Sequence, residues 1–286
     1  MTPIRSAAII GLGLVGGSLA RDLSSRAVRV LAYDRDARSL RAARRRGVVD
    51  GELDSSLEGA EEAELVVLAV PVSAMPALLS RLAPRLERTR LIIDVGSTKR
   101  TVVAAAEALG IGERFVGCHP LAGSHRSGWS ASRTGLFAGA RVFLCPTGAT
   151  RTDTLALARE LWGSLGAHPE IIDAELHDRR LAWESHLPQA AATALALVLE
   201  AEGVERGVLG PGGRDMTRLA GSSPEMWTAI AMNNALELSP ALASLEARIR
   251  ELRMLLDRQD EDGLGRVFAA GLEWFARDKR RSASRV

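Results

Sequence analysis

A glycine-rich turn constrains the fold of this chain more than any other feature. The sequence Gly-Leu-Gly-Leu-Val-Gly at residues 11–16 follows an apolar run that predicts a strand and precedes a segment that predicts a helix. Gly11 permits the tight turn, Gly13 lets the backbone approach a pyrophosphate, and Gly16 lets the helix pack closely on the strand. The pyrophosphate would lie against unpaired N–H groups at the start of the helix. The turn therefore predicts a dinucleotide site in an α/β domain, and an α/β fold that binds no cofactor is the alternative.

Asp34 favours NAD as the dinucleotide. It ends the second predicted strand, eighteen residues after Gly16. A carboxylate at this position accepts hydrogen bonds from a ribose diol and repels a 2′-phosphate. Arg35 and Arg38 lie close to it in the sequence, so NADP is not excluded. The residues expected to contact the cofactor are Gly11, Gly13, Leu14, Val15, Gly16, Asp34, Val70 and Pro71.

The order of the predicted elements divides the chain into two parts. Short β-branched runs alternate with helical patterns up to residue 173, and several of the runs are apolar on both faces. This alternation predicts an NAD-binding Rossmann-type α/β domain at 1–173, with a doubly wound, largely parallel sheet and right-handed crossovers. Residues 174–286 predict an all-helical domain for substrate binding and dimerisation. The predicted strands are 7–11, 28–34, 65–70, 91–95, 115–118, 142–145 and 170–173.

Proline and glycine mark the predicted boundaries in the helical part. Residues 174–200 predict one long helix that is interrupted at Pro188, because proline lacks a backbone donor and clashes with the preceding turn. Residues 203–213 predict a glycine-rich loop. Pro224 and Pro240 each follow a serine, a pairing of cap residue and first helical residue that predicts two further helix starts.

The helix predicted after Pro240 carries a narrow apolar seam. Its apolar residues recur at spacings of three and four, as in a helix that packs along one stripe. Such a seam can pack within one chain or against a second copy, and the spare apolar area of an all-helical piece favours a homodimer. The seam residues are Leu242, Leu245, Ile249, Leu252 and Leu256.

Charge and composition exclude several classes of function. A formal net charge of +2 over 286 residues gives no electrostatic case for a nucleic acid or a membrane as partner. The most apolar run, residues 65–71, is too short to cross a bilayer. Cys118 and Cys145 form neither a disulfide framework nor a metal-binding spacing, and no secretory signal precedes the first strand. We therefore expect a cytoplasmic protein with reduced thiols.

Two polar segments follow predicted strands, at the sheet edge where open parallel sheets bind ligands. Residues 94–99 contain Ser97, which we expect to contact the substrate, and capping a helix is its alternative role. Residues 119–124 contain His119, whose ordinary pKa near neutrality suits a general base. A purely structural histidine is the alternative at this position.

Two segments of the helical part add candidate substrate contacts. His186 and Gln189 are three residues apart, so they share a helix face near the bend expected at Pro188. Two polar residues on a solvated face are the alternative interpretation. Arg218 lies where a glycine-rich loop passes into a helix, and its paired N–H groups could clamp a carboxylate. A surface ion pair with Asp215 is the alternative there.

Five segments, in this order, resemble the prephenate/arogenate dehydrogenase family of tyrosine biosynthesis. They are Gly-Leu-Gly-Leu-Val-Gly-Gly-Ser at 11–18, Asp-Val-Gly-Ser-Thr-Lys at 94–99, His-Pro-Leu-Ala-Gly-Ser at 119–124, Ser-His-Leu-Pro at 185–188 and Asp-Met-Thr-Arg-Leu-Ala at 215–220. The resemblance extends over nearly the whole chain, to the helices after Trp227. It implies the NAD-dependent oxidative decarboxylation of a small anionic cyclohexadienol, prephenate or arogenate, without a metal.

The resemblance also implies roles for the candidate residues. His119 would take the proton of the ring hydroxyl or polarise that hydroxyl. Ser97 would bind the same region and orient His119. His186 would contact the substrate side chain or the nicotinamide, and Arg218 would bind a substrate carboxylate. Ser124 is expected to contact the substrate as well.

Gln189 departs from the family pattern. Members that use prephenate commonly have a second histidine at this place, three residues after the first. A glutamine cannot carry charge toward a keto-acid side chain, but its amide oxygen can accept a hydrogen bond from an ammonium group. Gln189 therefore predicts a preference for arogenate, whose side chain carries an amine.

Two other classes of protein remain open from the residues alone. Hydroxyacid dehydrogenases and imine reductases also join a Rossmann unit to a helical domain. These would show a lysine or a different acid where the long helix has His186 and Gln189. A non-catalytic NAD-sensing protein is the third possibility, and it would leave the convergence of His119 and Arg218 unexplained.

Overall fold

A computed structural model describes residues 3–123 and 128–283 of the chain. The chain divides into two compact units, Met1–Ala235 and Leu236–Val286. The first unit contains a β-sheet and the helices up to Asn233, and the second carries two long helices. The predicted domain boundary after residue 173 follows the change from strands to helices. It does not coincide with the division after Ala235, and it stays a prediction.

The first unit is built on an eight-stranded sheet. Its strands are β1 (Ser6–Ile10), β2 (Arg29–Tyr33), β3 (Gly51–Glu52), β4 (Leu65–Leu68), β5 (Leu91–Asp94), β6 (Phe115–Pro120), β7 (Arg141–Pro146) and β8 (His168–Ile171). The α-helices of the described ranges are α1 (Leu14–Ser24), α2 (Ala37–Arg45), α3 (Met75–Leu82), α4 (Arg100–Ala108), α5 (Thr152–Ser164), α6 (Ala174–Leu181), α7 (Leu187–Ala201), α8 (Pro211–Met216), α9 (Pro224–Asn233), α10 (Ala235–Asp257) and α11 (Glu261–Ala283).

The strand order is β3-β2-β1-β4-β5-β6-β7-β8, and every neighbouring pair is parallel except β6 and β7. The chain runs outward from β1 to β3 and then crosses back to β4, so the order reverses between β1 and β4. The loops after β1, β4, β5 and β6 consequently meet at one edge of the sheet, the usual ligand site of such folds. The predicted Rossmann-type α/β fold with a helical C-terminal region is confirmed.

Four strands differ from the predicted ranges by two residues or more. β4 ends at Leu68 rather than at residue 70, and β8 covers His168–Ile171 rather than 170–173. β6 continues past its predicted end at residue 118, because His119 and Pro120 pair with Phe143 and Val142 on antiparallel β7. β3 has two residues paired with β2, too few for a periodic signal, so the sequence does not predict it.

The predicted break in the long helix lies one turn before Pro188. α6 passes into a single turn of π-helix, Ala182–His186, which leads into α7. Pro188 is in the first turn of α7, where its missing N–H does not interrupt the helix. The departure from regular α-helix therefore lies in the π-turn rather than at Pro188, and single π-turns are frequent at functional sites.

One predicted helix start is wrong, one is confirmed, and a segment predicted as a loop contains a helix start. Pro211 begins α8 inside the segment 203–213 that was expected to be a loop. α10 begins at Ala235, because Asn234 alone separates it from α9, so Pro240 lies inside the helix rather than at its first position. The start at Pro224 is confirmed.

Apolar residues pack on both faces of the sheet, as the two-sided strands predict. Every residue of β4 and β5 is buried. One face buries Phe137 and Trp162, whose rings meet edge to face with centroids 5.2 Å apart. The other face buries Phe115 and Phe143. Across residues 3–123 and 128–283, no helix combines the length and apolar character that a membrane span needs.

A fully buried ion pair joins the ends of β5 and β6. Lys99 and Asp94 contact each other with both side chains shielded from solvent. Lys99 Nζ also donates to the Cys118 carbonyl oxygen at 2.8 Å, and Asp94 accepts a hydrogen bond from the Gly96 N–H at 2.8 Å. The pair thus fixes the loop between β5 and α4 against the strand that carries His119.

The replacement Lys99→Met should lower the free energy of unfolding by about 3–5 kcal/mol, because it leaves Asp94 buried without its counter-ion. Arg248→Met is the matched control, since Arg248 pairs with Glu251 at 2.7 Å on the exposed surface of α10. The control should change the free energy by less than about 1 kcal/mol. Urea unfolding followed by circular dichroism measures both variants, and equal small losses would show that the buried pair does not secure this loop.

Candidate active site

A cleft of about 770 Å³ lies at the sheet edge where the loops after β1, β4, β5 and β6 meet. We call it the sheet-edge cleft. Its lining includes the glycine turn, residues that follow β4, β5 and β6, and residues of the π-turn and α9. The predicted site residues in this lining are Gly13, Leu14, Val15, Gly16, Val70, Pro71, Ser97, His119 and His186.

The glycine turn fits a dinucleotide pyrophosphate. Gly11 has a φ of +101°, and a Cβ there would lie 2.3 Å from the Ala69 carbonyl oxygen, so the turn excludes a side chain. A Cβ on Gly16 would lie 2.0 Å from the Gly11 carbonyl oxygen, which explains why α1 can pack so closely on β1. Around Gly13 no described atom lies within 4 Å of an added Cβ, and no described side chain caps the N-terminus of α1. The turn thus presents open space and backbone donors to a phosphate.

Asp34 braces the glycine turn from the end of β2. Its Oδ2 accepts a hydrogen bond from the Leu12 N–H at 2.5 Å, and its Oδ1 accepts one from the Asp36 N–H at 2.7 Å. The carboxylate is therefore held beside the turn, at the position expected for a ribose contact. Arg35 lines the cleft and pairs with Glu225 of α9 at 3.2 Å, both side chains being exposed. Arg35 is thus part of the cleft lining, whereas Asp34 and Gly11 are not among the lining residues and Asp34 contacts the turn itself.

His119 and Ser97 reach the cleft from neighbouring strands. His119 is half-buried near the end of β6, and its Nδ1 lies 2.9 Å from Nε2 of His177. Ser97 lies in the loop between β5 and α4. α4 begins at Arg100 with Lys99 at its cap position, so the alternative role of Ser97 as a cap is wrong. The resemblance gives the orienting role to Ser97, whereas the contact at His119 Nδ1 is with His177.

A buried polar network continues from His119 into α6. His177 and Asp178 are at most 1% exposed, and His177 Nδ1 lies 2.8 Å from Asp178 Oδ1. The Asp178 carboxylate also accepts hydrogen bonds from the Lys99 N–H at 2.7 Å and the Arg100 N–H at 2.9 Å. These two N–H groups open α4, and the start of a helix favours an anion.

His186 joins the same network through Asn234. The Asn234 Nδ2 donates to the Asp178 carbonyl oxygen at 2.8 Å and lies 3.0 Å from His186 Nδ1. His186 ends the π-turn, is 2% exposed and packs edge to face against Trp227. The alternative of a solvated helix face is therefore wrong. We call the connected residues the histidine network: His119, His177, Asp178, Asn234 and His186.

Burial keeps the imidazoles of this network neutral. Desolvation lowers the pKa of His119 well below its ordinary value, and the neighbouring His177 lowers that pKa further, because two adjacent imidazoles do not both take up a proton. Desolvation also lowers the pKa of His177, and it lowers the pKa of His186 to about 4. Burial alone would raise the pKa of Asp178, but the hydrogen bonds from His177 and from two backbone N–H groups hold that pKa below its usual value. At neutral pH the network thus contains one anion and three neutral imidazoles.

Gln189 and Arg218 line a second cavity, of about 1870 Å³, that adjoins the cleft. Gln189 is 6% exposed, and its Nε2 donates to the Leu219 carbonyl oxygen at 2.8 Å. Arg218 is exposed, and the described ion pairs include none between Arg218 and Asp215. The residues that line both spaces are Leu14, Gly123, Ser222, Met226 and Trp227.

The predicted site residues therefore form two groups. Ser97, His119 and His186 line the sheet-edge cleft, whereas Gln189 and Arg218 line the adjoining cavity. Ser124 lies outside the described residues. A neutral imidazole beside a dinucleotide site can accept the proton of a hydroxyl group, and a guanidinium in the next cavity can bind an anionic group of the same molecule. The arrangement suits the oxidation of an alcohol that carries a carboxylate.

Sequence reasoning missed His177, Asp178 and Asn234. The buried face of α6 is formed by Ala174, His177, Asp178 and Leu181, so two ionisable residues lie in phase with an apolar stripe. That phase is the signal that could have identified them, because ionisable groups on an apolar face need partners. Asn234 offers no such signal, since it stands at a helix junction where asparagine is common.

Comparisons with known proteins agree with the fold and the cleft. Family models described as "Prephenate dehydrogenase, nucleotide-binding domain" and "Prephenate dehydrogenase, dimerization domain" match residues 19–171 and 173–270. A cyclohexadienyl dehydrogenase of Zymomonas mobilis is 34% identical over 273 residues, which are 92% of this chain and 92% of that protein.

Two solved structures are similar over nearly the whole chain. The prephenate dehydrogenase from A. aeolicus, in complex with hydroxyphenyl propionate and NAD+, has a TM-score of 0.86 and 30% identity and covers 100% of this chain and 99% of its own. The Synechocystis arogenate dehydrogenase has a TM-score of 0.79 and 29% identity and covers 96% of this chain and 99% of its own.

These matches extend across both the sheet and the helical part. The hydroxyacid dehydrogenase and imine reductase classes are therefore the wrong alternatives. The chain belongs to the prephenate dehydrogenase family.

Proposed function

We propose that this chain uses NAD to decarboxylate prephenate or arogenate oxidatively, releasing carbon dioxide and 4-hydroxyphenylpyruvate or tyrosine. The observation that carries this proposal is the position of His119, a neutral imidazole in the same cleft as the glycine turn. The names of the similar proteins, which cover prephenate, cyclohexadienyl and arogenate dehydrogenases, support it.

The N–H groups at the start of α1 would bind the pyrophosphate of NAD, with Asp34 at the ribose and Val70 and Pro71 along the cleft. NAD held there would supply the hydride acceptor for the ring carbon that carries the hydroxyl. Asp34 favours NAD over NADP, whereas Arg35 offers a cation that a 2′-phosphate could use. NAD is therefore the proposed cofactor, with NADP not excluded.

His119 has the central role in moving the proton. It accepts the proton of the ring hydroxyl as the oxygen becomes a carbonyl oxygen. When the bond to the ring carboxylate breaks, its electron pair completes the aromatic ring and carbon dioxide departs. The His119 imidazolium then returns its proton to the ring oxygen. Because aromatisation supplies driving force, the protein mainly positions the ring and manages this proton.

The remaining predicted residues bind and orient the substrate. Ser97 lies in the same cleft as His119, so we assign it a hydrogen bond to the ring hydroxyl region. His186 faces that cleft from the helical part and contacts the substrate or the nicotinamide. Arg218 binds the side-chain carboxylate from the adjoining cavity. Ser124 stays a predicted contact.

The chain is proposed to act as a homodimer. The matched family model names a dimerization domain at residues 173–270. The predicted seam of α10 lies within this range, and Leu242, Ile249 and Leu256 of that seam are 38%, 59% and 61% exposed. An apolar stripe with this much solvent exposure can be covered by a second copy of the chain. The buried free thiols of Cys118 and Cys145 support the expected cytoplasmic location.

A steady-state assay tests the proposed activity. Each of prephenate and arogenate is offered with each of NAD and NADP, and formation of the reduced nicotinamide is followed by its absorbance. We expect turnover with NAD and at least one of the two substrates. Saturable NAD binding with no turnover of either substrate would instead favour the NAD-sensing alternative.

His119→Asn should lower kcat by about 100-fold or more, because the cleft loses its proton acceptor. NAD affinity, measured by fluorescence titration, should be unchanged, since the glycine turn is untouched. His168→Asn is the matched control, because His168 is an exposed histidine on β8. Near-normal turnover in His119→Asn would show that the base is another residue.

Arg218→Ala should raise KM for the anionic substrate and leave kcat little changed, because the guanidinium binds a group that does not react. Arg214→Ala is the control, since Arg214 is exposed one helical turn earlier. Steady-state kinetics on both variants provides the measurement. A KM equal to that of the control would show that Arg218 does not bind the substrate carboxylate.

Gln189→His should shift the ratio of kcat/KM for arogenate and prephenate toward prephenate. The Gln189 Nε2 is committed to the Leu219 carbonyl oxygen, which leaves Oε1 as the acceptor for the ammonium group of arogenate. A histidine at this position can carry positive charge toward a keto acid. The kinetics of both substrates with both enzymes give the ratio, and an unchanged ratio would refute the assignment.

A further inference from the structure

We propose that the histidine network fixes opposite tautomers on the two imidazoles of the sheet-edge cleft. His119 is held with its proton on Nδ1, so its Nε2 is a hydrogen-bond acceptor. His186 is held with its proton on Nε2, so that nitrogen is a donor. His177, Asp178 and Asn234 are the positioning residues that determine both states.

The first step is the state of Asp178, which is the charged centre of the network. Its Oδ1 and Oδ2 accept the Lys99 and Arg100 N–H groups at 2.7 Å and 2.9 Å, where α4 begins. Burial raises the pKa of the Asp178 carboxyl, but the donors around it, including these two at the positive end of α4, hold that pKa below its usual value, so it is a carboxylate at neutral pH. An ionised carboxylate only accepts hydrogen bonds. The His177 nitrogen that faces it at 2.8 Å, Nδ1, must therefore be the protonated one.

The second step carries this constraint to His119. His177 is buried and neutral, and its one proton is on Nδ1, so its Nε2 has a lone pair. The contact of 2.9 Å between His177 Nε2 and His119 Nδ1 then requires the proton to be on His119 Nδ1. The neutral His119 ring consequently has its lone pair on Nε2, and His119 lines the cleft.

The third step concerns His186 and runs through Asn234. The Asp178 carbonyl oxygen lies 2.8 Å from Asn234 Nδ2, and since a carbonyl can only accept, it fixes the orientation of the Asn234 amide. The second proton of the same Nδ2 points to His186 Nδ1 at 3.0 Å, so Nδ1 must be an acceptor. The neutral His186 ring therefore carries its proton on Nε2. Asp178 thus determines the tautomers of both rings. Its carboxylate acts on His119 through His177, and its backbone carbonyl acts on His186 through Asn234.

The catalytic consequence rests on the proposed function. A hydroxyl that loses its proton needs the acceptor nitrogen that His119 presents, and an oxygen atom of the substrate or of the nicotinamide amide needs the donor that His186 presents. If either ring had the other tautomer, it would offer the wrong group. An imidazole in water interconverts its tautomers freely, so the network holds His119 in its acceptor form before the substrate arrives.

The tautomers can be measured without substrate. The enzyme is labelled with ¹⁵N-histidine, and long-range ¹H–¹⁵N correlation spectra at pH 7.5 identify the protonated nitrogen of each ring. Signals are assigned with His119→Gln, His177→Gln and His186→Gln. We expect Nδ1–H on His119 and His177 and Nε2–H on His186, whereas exposed His168 exchanges between both forms. An Nε2–H on His119, or an Nδ1–H on His186, overturns the proposal.

A pair of variants tests the positioning role of His177. His177→Leu removes the acceptor for His119 Nδ1–H, so kcat should fall about 100-fold while KM changes little. His177→Gln keeps an oxygen that can accept the same proton, and it should recover most of the lost kcat. His168→Leu controls for loss of an exposed imidazole. Equal losses in the leucine and glutamine variants, or no loss in either, contradict the positioning role.

The two measurements separate this inference from the proposed function. If the spectra show the expected tautomers but neither cyclohexadienol is turned over, the tautomer assignment stands and the proposed substrate is wrong. If turnover occurs but His119 carries its proton on Nε2, the activity stands and the assignment is wrong.

Discussion

The site depends on one buried anion at the start of one helix. The Asp178 carboxylate lies against the first N–H groups of α4 and carries a histidine on its other side. A charge buried to this degree is costly unless several donors surround it, and here three do. Because two of the donors lie at the start of α4 and the carboxylate belongs to α6, the anion also fixes the spacing of these two elements. Stability and positioning therefore depend on the same contacts.

The parallel sheet explains why the glycine turn and His119 lie at one cleft although no sequence motif contains both. Parallel strands all end at one edge, so the turn after β1 and the end of β6 converge although they are far apart in sequence. His119 gains a further constraint because β6 continues through it and pairs His119 with Phe143 of β7. The His119 imidazole is thus attached to a hydrogen-bonded strand rather than to a loop. Lys99, at the end of the loop between β5 and α4, holds the same strand through its hydrogen bond to the Cys118 carbonyl oxygen.

The sequence predicted what depends on neighbours in the chain and missed what depends on distant contacts. The glycine turn, the two-sided strands and the cap before Pro224 are local signals, and each is present in the structure. His119 and His186 were found because each lies in a recognisable motif. The pair His177–Asp178 was missed although it lies on the apolar face of α6, because its partner, the N-terminus of α4, is distant in the sequence. Pro188 shows the same limit: the sequence predicts an interruption of the helix at the proline, whereas the π-turn precedes it.

The separation of the predicted residues into two spaces is itself informative about the substrate. His119 and His186 line the cleft, whereas Gln189 and Arg218 line the adjoining cavity. Trp227 borders both spaces, and its ring also packs against His186. Under the proposed function, the reacting ring of the substrate would lie in the cleft on one side of Trp227. Its charged side chain would lie in the cavity on the other side. Substrate choice would then lie in the cavity, at residues that do not touch the transferred proton, so preference for prephenate or arogenate can change without any change in the histidine network.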